Sequence, residues 1–141
     1  MSKDQWVWQI EETFPSRTGA GKDILNSVLE QLKVYGYADH DISSVHLALE
    51  EALVNAIKHG NQHDADKQVH VVVKLSPNLL RIEVEDEGTG FDPEGVPDPT
   101  LPENLELPSG RGLMLMRSFM SRIEFNESGN RVLMEKVRTP S

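Results

Sequence analysis

At 141 residues the chain can bury a core of its own, and residues 1–141 are expected to form a single domain. Its 38% hydrophobic and 26% charged content is ordinary for a globular protein. No apolar run nears the ~20 residues that span a bilayer, MSKDQWVWQIEE is no signal peptide, and the absence of cysteine excludes disulfides and thiolate sites. A cytoplasmic protein without membrane contact is expected. The net charge of −9 disfavours a surface that tracks nucleic-acid phosphates; it suits a basic protein partner, and solubility explains it equally well.

Residues 6–14 alternate, Trp6, Trp8 and Ile10 against Val7, Gln9 and Glu11, and predict an edge strand ended by Pro15. Over residues 17–35, Leu25, Val28, Leu29, Leu32 and Tyr35 recur at helical spacing, with Gly36 as the stop. Inside that stretch TGAGKD, residues 18–23, approaches a phosphate-binding P-loop. The motif fails at Ser16, where glycine is required, and at Asp23, where serine or threonine is required.

The second helix is predicted from Asp39 or Asp41, either able to cap it, to about His59, with Gly60 as its stop. At about 100° per residue, Ile42, Val45, Leu49, Leu53 and Ala56 form one stripe, and Glu51, Asn55 and Lys58 the opposite one. Such a polar stripe is ordinarily a solvated back. His59 and His63 have ligand spacing, but Gly60 breaks the helix between them, so a packed or capping His59 is the better reading than zinc.

Residues 69–75 alternate Val69, Val71, Val73 and Leu75 against His70, Val72 and Lys74; Pro77-Asn78 turns the chain, and residues 79–86 return as a second strand. Leu80, Ile82 and Val84 share one face, and Asp86 is in phase with them. A carboxylate following an apolar face inward costs several kcal/mol unless paired, which makes Asp86 a functional candidate; a cap on the following turn is its bland alternative. Five of the eight prolines fall between Phe91 and Pro108, a long aperiodic stretch of the kind that serves as a lid or stays disordered. Gly110-Arg111-Gly112 then opens a helix whose Leu113, Met116 and Met120 have core spacing, the methionines reading as filler. Residues 121–126 and 131–137 read as a last hairpin. Strands outnumber helices and hairpins outnumber crossovers, so the fold class is α+β, a two-layer sandwich with helices on one face of a mixed, mainly antiparallel sheet.

The order Glu-x-x-x-Asn in EALVNAIKHGN (51–61), Asp-x-Gly-x-Gly-Phe in EDEGTGFDP (85–93) and Gly-x-Gly-Leu in SGRGLMLMRSFM (109–120) resembles the three boxes of the GHKL ATPases. That superfamily includes DNA gyrase B, Hsp90, MutL and histidine kinases. The short chain and the wording of its first and third boxes are most similar to the anti-sigma factor serine/threonine kinases. The likeness extends over roughly residues 20–137. It implies the Bergerat fold, with ATP and Mg2+ held between the helical layer and an ATP lid.

The resemblance assigns Asp86 to the adenine amine. Gly88 and Gly90 let backbone approach the ring. Asn55 offers a neutral oxygen to magnesium, and Gly110, Arg111, Gly112 and Leu113 form the phosphate-facing helix start. Lys58 is in reach of a phosphate, or else faces solvent. Glu51, one turn before Asn55, is the general base that the superfamily's ATPases and serine kinases carry where histidine kinases usually have Asn. The implied activity is phosphorylation of a STAS-like anti-sigma-factor antagonist, with a sigma factor as a further partner and homodimers common among relatives. A noncatalytic module that uses nucleotide only to switch partners remains the alternative, and an ATPase fragment of a larger machine ranks lower.

Overall fold

The alternation of Val69, Val71, Val73 and Leu75 dictates a strand with one dry face, and all four are fully buried in β2 (Gln68–Leu75). The computed structural model describes residues 5–17, 19–62, 64–88 and 116–140. β2 returns as β3 (Leu79–Glu85) through a turn in which Ser76 N–H donates to Leu79 C=O at 2.8 Å and the Ser76 hydroxyl accepts from Leu79 N–H at 3.0 Å. With β1 (Trp8–Pro15), β4 (Arg122–Phe125) and β5 (Arg131–Val137) they form one sheet in the order β1-β2-β3-β5-β4. Every pairing is antiparallel, so the described sheet is simpler than the mixed one expected.

One face of that sheet carries α1 (Lys22–Val34) and α2 (Asp39–Val54). Ile24, Val28 and Leu32 of α1 and Val45, Ala48 and Leu49 of α2 lose all exposure against the inward residues of β2, β3 and β5. The buried stripe of α2 is wider than the sequence pattern indicates, because Ala48 and Ala52 are buried as well. Small side chains there let α2 approach both α1 and the sheet. Met116 and Met120, at the helical turn before β4, fill the same core, as expected.

Several local expectations are corrected. α1 starts at Lys22 rather than 17, since Gly19 and Gly21 hold φ of 86° and 89°, outside any right-handed helix. Neither Asp39 nor Asp41 caps α2: Ala38 occupies the cap position, and the buried Asp41 carboxylate instead accepts Thr139 N–H at 2.8 Å and Thr139 Oγ1 at 2.6 Å. β1 begins at Trp8 rather than Trp6, and Pro15 ends it as expected, though as its last paired residue, opposite Gln68, which an edge strand tolerates. Trp6 leaves the phase of Trp8 and Ile10 and lies against the Arg81 guanidinium, 5.7 Å from its ring centroid, on the open side of the sheet. That side is ionic: Arg81 bonds the buried Glu135 at 2.9 Å, and Arg131 bonds Glu83 at 2.7 Å.

Candidate functional site

α-Helical bonding ends at Val54, and the chain continues from Asn55 to Gly60 as a π-helical turn, wider than the α-helix expected to run through to His59. The turn closes with Asn61 N–H donating to Ala56 C=O at 2.9 Å. Such turns are rare and concentrate at functional positions. Its first residue is Asn55, whose side-chain Oδ1 is buried and has no hydrogen-bond partner, alone in this among the described residues. An orphaned amide oxygen costs free energy unless something outside the protein satisfies it. One turn earlier on α2, Glu51 is half-buried. Burial pushes its carboxyl above the ordinary glutamate value, the charge of Glu50 adds to the rise, and Lys58 opposes it. Lys58 itself is exposed at the surface of the turn.

Asp86 leaves the inward face of β3 as its phase predicts and is half-buried. The turn-cap reading of Asp86 is observed. Its Oδ1 accepts Gly88 N–H at 2.8 Å, the turn cap, while its carboxyl group packs against the end of the π turn. A Cβ on Gly60 would lie 2.2 Å from Asp86 Oδ2, and one on Gly88 would lie 2.0 Å from the Gly60 carbonyl oxygen. Gly60, Asp86 and Gly88 thus interlock, and the tertiary fold brings the first box to the second. Burial raises the Asp86 carboxyl above the ordinary aspartate value; the Gly88 bond lowers it, Glu85 raises it and Lys67 lowers it.

Gly60 was legible only as a helix stop, and nothing in the spacing tells that residue 86 closes on it. Asn61, which closes the 51–61 stretch, and Asn130 were given no role by the sequence pattern, yet both bind the Asp86 loop. Asn61 Oδ1 accepts Glu87 N–H at 2.8 Å; Asn130 accepts Asp86 N–H and returns its side-chain amide to Asp86 C=O at 3.1 Å. Gly90, Gly110, Arg111, Gly112 and Leu113, with the expected lid over 92–108, lie outside the described residues, as do His63 and the His59 side chain.

The site therefore offers an unpaired neutral oxygen at Asn55, a carboxylate of raised proton affinity at Glu51, and a second carboxylate at Asp86, packed against Gly60 and Gly88. No group of three or more His, Cys, Asp or Glu side chains among the described residues could hold a metal by itself. A hard cation that keeps most of its waters and takes one protein oxygen fits this donor set. The free Oδ2 of the Asp86 carboxylate fits a ligand that brings a hydrogen-bond donor.

An antiparallel sheet covered on one face by two helices, with these groups at the helix end, defines a nucleotide-binding module. The chain matches the histidine kinase-like ATPase domain family over residues 14–136 and belongs to it. It is 31% identical over 101 residues to an anti-sigma F factor of Clostridium perfringens, covering 68% of this chain and 72% of that protein. It is also 31% identical over 108 residues to the serine-protein kinase RsbW of Bacillus cereus, covering 72% of this chain and 67% of the relative. The crystal structure of the RsbU and RsbW domains of a Mycobacterium tuberculosis protein superposes with a TM-score of 0.64 at 17% identity, over 96% of this chain and 34% of that one. That likeness shows the shared fold, and the chain spans about a third of the larger structure. No described helix is long and apolar enough to cross a membrane.

Proposed function

We propose that the chain is an ATP-dependent serine/threonine protein kinase of the anti-sigma-factor type. Residues 1–141 act as a single cytoplasmic domain that phosphorylates a STAS-like anti-sigma-factor antagonist and has a sigma factor as its other partner. The observation that carries this is the pairing, one helical turn apart, of the half-buried Glu51 and the unpartnered Asn55 Oδ1. A nucleotide switch without chemistry needs the metal ligand but has no use for a desolvated carboxylate beside it, whose ionisation burial opposes.

Magnesium-bound ATP would supply the transferable phosphoryl group. Asn55 Oδ1 would hold the metal, and Lys58 would add a positive charge near the phosphates. Asp86 accepts from the adenine amine through the oxygen that Gly88 does not occupy. Glu51 would take the proton of the acceptor hydroxyl as that oxygen bonds to the γ-phosphorus and the bond to ADP breaks, with ADP as the leaving group; a raised proton affinity suits that role. Gly88 lets the loop close on the Gly60 carbonyl and caps Asp86 Oδ1, leaving Oδ2 for the ring amine. Gly90 and the stretch Gly110 to Leu113 complete the phosphate side on the strength of the motif alone.

The test is to mix the protein with γ-labelled Mg-ATP and a candidate antagonist and to follow label into the partner. Acid-stable label on serine or threonine supports the kinase. Tight ATP binding with no labelled protein transfers the conclusion to the nucleotide-switched binding module.

A further inference from the structure

We propose that Asn61 is a positioning residue for base recognition, holding the Asp86 loop in register so that the Asp86 carboxylate meets the adenine amine. The inference rests on the reading of Asp86 as the group that binds adenine. Asn61 has no exposure at all, although it is an amide in the loop after the π turn. Its three hydrogen bonds use both amide donors and one of the two acceptor positions of its oxygen. Nδ2 donates to Ser16 Oγ at 2.6 Å and to Gln68 C=O at 2.9 Å, while Oδ1 accepts Glu87 N–H at 2.8 Å. The opposite orientation would set oxygen against the Gln68 carbonyl, so the amide cannot flip without loss. Ser16 cannot compensate, because its own hydroxyl donates to Lys67 C=O at 2.9 Å.

The consequence falls on Asp86. Glu87 follows it directly, and its N–H is gripped by Asn61; the Asp86 N–H and C=O are gripped by Asn130. The backbone of the carboxylate is thus tied on both sides, and Gly60, the neighbour of Asn61, blocks the carboxylate from swinging toward the π turn. Asn61 also joins the ends of β1 and β2 at Ser16 and Gln68, so the loop is referred to the sheet rather than to the helix alone. A residue that only stabilised the fold would not need to bond the peptide next to Asp86.

The experiment compares ATP with purine riboside triphosphate, which lacks only the 6-amine. Affinities are measured by calorimetry for the wild type, Asp86→Asn and Asn61→Ser. The wild type is expected to prefer ATP, and Asp86→Asn to lose much of that preference. Asn61→Ser should lower the preference by roughly tenfold, the scale of one misaligned hydrogen bond to a charged group, with the analogue binding as in the wild type. A purely structural role would weaken both nucleotides alike. An unchanged preference in folded Asn61→Ser overturns the inference while leaving Asp86 in place. Equal binding of the two nucleotides by the wild type removes Asp86 as the adenine reader, and the inference with it. Should Asn61→Ser fail to fold, amide hydrogen exchange of Glu87 in the wild type decides: protection supports the clamp, and exchange at the rate of a free amide overturns it.

Discussion

The α-carbon of Gly60 lies so close to the Asp86 carboxylate that a Cβ there would stand 2.2 Å from Oδ2 and 2.3 Å from Cγ. The end of the helix that carries Glu51 and Asn55 is therefore in van der Waals contact with the carboxylate at the end of β3. Two boxes separated along the chain share one floor, and a single methyl group is enough to part them.

Gly60→Ala should displace the short Asp86 side chain, whose Oδ1 is already tied to Gly88. Overpacking of this kind costs about 1–3 kcal/mol, and here it should appear chiefly as roughly tenfold to hundredfold weaker ATP binding in calorimetry. Gly88→Ala meets backbone rather than a side-chain end, the Gly60 carbonyl at 2.0 Å, and should lower Tm as well as affinity. Wild-type ATP affinity in Gly60→Ala would show that Asp86 is not needed where it stands.

Glu51→Gln should keep nucleotide affinity, because the side chain keeps its size and Asn55 still offers its oxygen. Phosphotransfer to a partner serine or threonine should fall by roughly 10²–10⁴-fold, the usual contribution of a positioned base. Asn55→Ala should lose binding and transfer together. Single-turnover transfer with labelled ATP separates the two variants, and wild-type transfer by Glu51→Gln would refute the base assignment.

The transfer rate at saturating nucleotide should rise with pH through an inflection above the ordinary glutamate value of ~4.3, since burial holds the Glu51 proton and only the ionised form is a base. The same raised value opposes folding. Between its unfolded and folded values the native state binds the extra proton, so stability drops as pH climbs through that interval. Glu51→Gln should accordingly abolish the inflection and raise Tm slightly at neutral pH, which a pH series of thermal melts will show.

At the far end of α2, burial alone would raise the Asp41 carboxyl, but the two Thr139 bonds, then the Lys136 and His40 charges, bring it below the ordinary aspartate value. Thr139→Val keeps the N–H bond and removes the hydroxyl bond. It should cost about 1–2 kcal/mol at neutral pH, near the lower range for a hydrogen bond to a charged group. Because the folded value is depressed, this contribution is present above ~3.9 and fades as the pH falls through the lowered folded value. The gap between variant and wild type in urea denaturation should narrow there.

Periodicity alone determined the strands β2 and β3, the two helices and the inward phase of Asp86, because burying one face forces apolar residues to recur at the pitch of the element. The motif order in residues 51–61 and 85–93 likewise pointed to the family before any contact was known. Local chemistry could not reveal that Gly60 closes on Asp86, that Asn61 grips the next peptide, or that Asp41 serves the C-terminus instead of capping α2. Nor could it show that α-helical bonding gives way to a π turn at Asn55, since the residues there suit either helix. Each of these depends on which distant atoms arrive, and a buried amide or carboxylate takes whatever partner the packed fold brings within reach.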